Sequence, residues 1–61
     1  MSANNYLKIH RDGKEYIIED LCYDTDEGSE IWHTKTLKSA IEWAEKYQQD
    51  NPVEYGIRFG V

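Results

Sequence analysis

The sequence predicts an α+β domain of element order βββαβ: a mostly antiparallel four-stranded sheet, strand order 3-2-1-4, with one helix packed on one face. Three observations carry this. "YLKIHR" and "KEYIIED" alternate around Asp12-Gly13, a dipeptide favoured in two-residue hairpin turns. Leu37, Ala40, Ile41, Ala44 and Tyr47 recur at helical spacing. Val53, Tyr55, Ile57 and Phe59 then alternate with polar residues or glycine, the period of a half-buried strand.

The polar "MSANN" at the start reads as a flexible N-terminus, residues 1–5, ahead of a single domain over 6–61. With Asp12 and Gly13 as the loop, Arg11 faces Lys14, Ile9 faces Tyr16 and Leu7 faces Ile18, so the apolar set shares one face. Tyr6, Lys8, His10, Glu15, Ile17 and Glu19 take the other, a mostly solvated face. Leu21 breaks the alternation and marks a bulge or a strand end. The acidic stretch after it is the next turn, with Gly28 as its flexible point, and "EIWHT" (Glu30–Thr34) is a short third strand. Thr36 is a fitting N-cap for the helix. Trp43 flanks the apolar stripe, while Lys38, Glu42, Glu45 and Lys46 point outward. Asp50-Asn51-Pro52 ends the helix, because a residue before proline avoids the helical region. A meander sets the third strand parallel to the first, and the helical crossover returns the fourth strand along the first strand's outer edge.

At 61 residues the chain has a thin core and little room for an enclosed catalytic cavity, which disfavours an enzyme. The net charge of −5 argues against direct nucleic-acid binding, which draws its affinity from Lys and Arg on phosphates. One cysteine, Cys22, excludes an internal disulfide and fits a cytoplasmic setting. No apolar run approaches the ~20 residues of a membrane span. No cofactor motif is present.

Charge is distributed unevenly. The hairpin places Lys8, His10, Arg11 and Lys14 around the first turn, and Asp20, Asp24, Asp26, Glu27 and Glu30 at the other end of the same strands. An EF-hand reading fails, because Asp24, Asp26 and Glu30 fit positions 1, 3 and 7 whereas Ser29 and Lys35 stand where the glycine and bidentate glutamate belong. No metal site is expected. A Cys22 nucleophile with His10 or His33 has no supporting signature, so Cys22 reads as buried and inert. Tyr6, Tyr23, Trp32 and Trp43 are not wholly absorbed by the core pattern, and aromatics of this kind anchor protein interfaces.

"WHTKTLKSAIEWAEKY" following a short hairpin resembles the N-terminal domain of the HicB antitoxin, with Thr36, Leu37 and Ala40 at the matching helix start. Size, acidity and sheet-plus-helix order also resemble the small acidic proteins with which bacteriophages disable host machinery, such as anti-CRISPR proteins and the RNA polymerase inhibitor of phage T7. Both resemblances imply a protein that blocks a larger basic partner by occupying its surface.

The expected function is therefore that of a non-enzymatic inhibitor of a basic, nucleic-acid-handling protein in the cytoplasm. Tyr23, Asp24, Asp26, Glu27, Glu30 and Trp32 form its binding surface. The alternative is a small nucleic-acid-binding module using Lys8, His10, Arg11 and Lys14. The exposed sheet edges leave a homodimer open.

Overall fold

The computed structural model describes residues 4–60. Strands β1 (Asn5–Asp12), β2 (Glu15–Cys22) and β3 (Gly28–Thr34) form a meander, helix α1 (Leu37–Asp50) crosses one face, and β4 (Ile57–Phe59) returns beside β1. The sheet order is β3-β2-β1-β4, with β4 parallel to β1 and the other neighbours antiparallel. Of the predicted flexible N-terminus, residues 1–3 lie outside the described residues. Asn4 and Asn5 are held in place: Asn4 O accepts from Tyr23 N at 2.9 Å, and Asn5 begins β1.

The hairpin register differs from the expected one by two residues. Asp12 pairs with Glu15, Ile9 with Ile18 and Tyr6 with Leu21, so the loop residues are Gly13 and Lys14. Only Gly13, at φ +64°, takes a positive φ in this loop, as a II′ turn requires of its first central residue. This spares Asp12 the left-handed conformation that a turn at Asp12-Gly13 demands. The observed register also sets Lys8 opposite Glu19 and Ile9 opposite Ile18, both favourable cross-strand pairs. A shift of two leaves each side chain on its predicted face. Leu7, Ile9 and Ile18 are accordingly fully buried together, with Ala40 and Ala44 of α1 over them.

The expected bulge at Leu21 is instead an extra residue in β3. Ile18 pairs with Trp32 and Glu19 with Glu30, leaving Ile31 unpaired in the ladder but packed against the core. Gly28 is a strand residue, not the flexible point of the turn. It pairs with Leu21, and a Cβ there would lie 1.9 Å from the Asp20 carbonyl oxygen. The left-handed residue of the turn is Asp26, at φ 57°.

Thr36 caps α1, its hydroxyl accepting from Ser39 N at 3.2 Å. Asn51 closes the other end by donating its backbone N–H and its Nδ2 to Tyr47 O. The final strand is shorter than the alternation from Val53 predicts. Gly56 takes φ +75°, which turns the chain before it pairs regularly. Tyr55, before this turn, is 43% exposed, and Phe59, paired with Ile9 in β4, is 53% exposed, while Val53 and Ile57 pack on the core.

Candidate functional site

The β2–β3 turn, residues 23–27, is closed by its own backbone. Cys22 N donates to Glu27 O at 2.7 Å and Asp26 N to Cys22 O at 2.8 Å, while Glu27 N donates to the Thr25 hydroxyl at 3.3 Å. Two carboxylates are positioned by the neighbouring strand: Asn4 Nδ2 donates to Asp24 Oδ2 at 2.7 Å and the Tyr6 hydroxyl to Asp26 Oδ1 at 2.6 Å. Asp24, Asp26 and Glu27 are all exposed. Three negative charges are thus displayed on a fixed loop rather than a loose one, which lowers the entropy lost on binding.

Aromatic side chains lie against this turn. Tyr23 stacks on Tyr55 with centroids 4.0 Å apart and planes 19° from parallel, and it meets Tyr6 edge-on at 6.4 Å. The Arg58 guanidinium lies over both Tyr6 and Tyr23, 4.9 and 5.2 Å from their centroids, a cation–π arrangement. Tyr6 is thereby only 5% exposed, which corrects the expectation that this sheet face is mostly solvated. Its hydroxyl pKa is raised, chiefly by the hydrogen bond to Asp26 and then by burial. The Tyr55 hydroxyl is raised first by the charge of Glu54, placing a further carboxylate near this end.

The other predicted residues are distributed differently. Trp32 is on the helix side of the sheet, stacked on Trp43 at 5.0 Å, which in turn stacks on Tyr47 at 5.3 Å. Glu30 is on the opposite face, 3.2 Å from His33 Nδ1. Asp20, expected among the acids of this end, is turned toward α1 and accepts from Asn5 Nδ2 at 2.8 Å and the Tyr47 hydroxyl at 3.2 Å. The structure therefore brings together Tyr23, Asp24, Asp26 and Glu27 but not Glu30 or Trp32. Tyr55 and Arg58 were missed because the alternation assigns Tyr55 to the core and Arg58 to solvent. Gly56 between them was the available sign of a break.

The four basic candidates do not converge. Lys8 and His10 leave the face opposite the helix, His10 Nε2 lying 2.8 Å from Glu19 Oε1. Arg11 alternates to the other face, its Nε donating to Gly13 O at 3.0 Å, and Lys14 sits between the paired Asp12 and Glu15. Asp12 and Glu15 thus offset the basic groups of the first turn.

Cys22 is half-buried rather than fully buried. Its thiol pKa is lowered, first by the hydrogen bond from the Thr25 side chain and then by backbone N–H groups of Thr25 and Asp24. His10 is at the far end of β1 from the Asn5–Cys22 pair, and His33 bonds Glu30, so neither is placed to act as a base for the thiol. Among the described residues no group of three His, Cys, Asp or Glu side chains is arranged to hold a metal ion, and no helix is long and apolar enough to cross a membrane. Compared with protein-family models, with curated proteins and with solved structures, the chain matches none.

Proposed function

We propose that this chain is a non-catalytic inhibitor that presents its acidic turn to a basic, nucleic-acid-handling protein, in the manner of the small phage proteins it resembles. The observation that supports this reading is the joining of Asp24, Asp26 and Glu27 on one closed turn to the exposed Tyr23–Tyr55 stack. Carboxylates would meet the Arg and Lys side chains that otherwise contact phosphate, and charge of this kind speeds encounter and fixes orientation. The tyrosines supply contact area at small entropic cost, as interface anchors do. Binding by surface contact also suits a domain this small, whose buried side chains are needed for the core.

The test is capture from a bacterial lysate on immobilised chain at low salt, followed by a salt gradient. A basic partner should elute by about 0.15 M salt, where the Debye length is ~8 Å. Replacing Asp24→Asn together with Glu27→Gln should weaken its retention about tenfold or more, ~1.4 kcal/mol. Both are near-isosteric, so the turn is retained. Elution independent of salt, or retention unchanged in the double variant, would contradict the reading.

A further inference from the structure

Among the described residues the exposed large apolar side chains are Tyr23, Trp32, Tyr55 and Phe59, and two of these, Tyr23 and Tyr55, are stacked with centroids 4.0 Å apart. The stack is fixed by backbone. Tyr23 N donates to Asn4 O at 2.9 Å and Tyr55 N to Asn5 O at 3.0 Å, so successive residues at the start of β1 hold the two tyrosines from its two sides. An aromatic surface anchored in this way is presented ready-made, which spares a partner the cost of ordering it.

The tyrosine cluster already holds one guanidinium. Arg58 Cζ lies over Tyr6 and Tyr23, 4.9 and 5.2 Å from their centroids, and its charge is offset locally by Glu19 and Asp26, which border the same depression. Around Tyr55 the balance is different. Asp24, next to Tyr23, accepts from the neutral amide of Asn4 at 2.7 Å. Glu54, next to Tyr55, is exposed, and its charge acts on the Tyr55 hydroxyl more strongly than any other, with Asp24 contributing as well. Among the described residues neither of these carboxylates has a Lys, Arg or His nitrogen within 4.0 Å. Tyr23 covers one face of the Tyr55 ring, so the 43% of Tyr55 that is exposed includes the other.

We infer that the open face of Tyr55, with Asp24 and Glu54 beside the stack, is a platform for an arginine side chain of the protein partner and selects arginine over lysine. The inference rests on the acidic-turn reading and names the group that this end of the molecule receives. A guanidinium is planar and weakly hydrated, so it can lie on the ring while its edge N–H groups reach a carboxylate. An ammonium has no plane to stack and is held more firmly by water. The pull of the π face on a cation adds to that of the carboxylates. A nucleic-acid base stacking on the same ring would instead bring its phosphates against those carboxylates.

The experiment is an NMR titration of the isotopically labelled chain at low salt with an arginine-glycine repeat peptide and with the lysine-glycine peptide of equal length and charge. The arginine peptide should bind about two- to fivefold tighter, the range that a cation–π contact at an exposed site supplies. It should give saturable shifts at the amides of Tyr23, Asp24, Tyr55 and Gly56, and its δ-methylene protons should move upfield in the ring current of Tyr55. Tyr55→Leu, which keeps an apolar side chain but removes the ring, should abolish the preference, whereas Tyr55→Phe should keep it. Equal affinity of the unaltered chain for the two peptides, or a preference that survives in Tyr55→Leu, would overturn the arginine platform. Neither result touches the acidic-turn reading, which the salt gradient on a captured partner decides separately. Larger saturable shifts at Tyr55 from a short single-stranded oligonucleotide than from the arginine peptide would overturn the platform in favour of a base.

Discussion

Tyr6 and Tyr47 each donate a hydroxyl hydrogen bond to a carboxylate, Asp26 and Asp20 respectively. Both phenols hold their protons more tightly than free tyrosine, Tyr6 mainly through its hydrogen bond and Tyr47 mainly through burial. An unfolded tyrosine ionises near pH 10. The stabilisation from these raised folded-state values is therefore fully present below about pH 10 and is lost as pH rises through the folded values. The urea midpoint should fall steadily above about pH 10, and the double variant Tyr6→Phe with Tyr47→Phe should show a shallower fall; the same slope in both proteins would contradict this assignment. Asp26 shows how far a residue's role can depend on its partners. Composition marks it as one acid among several, whereas its φ of 57° and its bond to Tyr6 make it the residue that fixes the turn against β1.

Strands and turns show the clearest contrast in glycine use. Gly13 has a positive φ and open space around it, so an added methyl there meets no atom within 4 Å. Gly28 has ordinary strand backbone, but an added methyl would run into the Asp20 carbonyl. Gly13→Ala should therefore cost about 1–2 kcal/mol of left-handed strain with the hairpin retained. Gly28→Ala must push β3 from β2, a backbone rearrangement expected to cost about 3 kcal/mol or more, at or beyond the upper end of the overpacking range. Urea denaturation of the two variants gives the comparison, and equal losses would rule out the steric account. The helix was the most legible element, because its apolar spacing, its Thr36 cap and its Pro52 stop are all local signals. The first hairpin was legible as to faces but not register. Alternation has period 2 and cannot distinguish registers two residues apart, and Asp-Gly leaves open whether Gly13 takes the first or second loop position.

For the molecule as a whole, stability rests on very few side chains. Leu7, Ile9 and Ile18 are the largest fully buried ones, with Ala40 and Ala44 opposite, and the Trp32–Trp43–Tyr47 stack covers one flank. Large-to-small changes in a core cost ~2–5 kcal/mol, while a core in a chain this short supplies only ~3–5 kcal/mol. Ile18→Ala should therefore leave a substantial unfolded population at 25 °C, seen as loss of near-ultraviolet circular dichroism and collapse of amide dispersion; a cooperative native spectrum would show that the core is more robust than its size suggests. The same scarcity bears on the proposed function. With its few aliphatic side chains largely committed to the core, what the chain presents beside the acidic turn is a set of exposed aromatics, the stacked Tyr23 and Tyr55 foremost.

By itself the sequence determined the element order, the sheet order, the faces of the hairpin and the concentration of acid after Cys22, because each depends on local periodicity or on the handedness of connections. Tertiary structure decided which of those acids act together. Asp20 is drawn to Tyr47 and Asn5, and Trp32 to Trp43, through partners distant in sequence, while Glu30 turns to His33 of its own strand once the unpaired Ile31 puts the two on one face. It also decided that Tyr55 and Arg58 join Tyr23, since the bend at Gly56 follows from docking against β1. Contacts between residues distant in sequence leave no periodic trace, and the surface available to a partner is composed of such contacts.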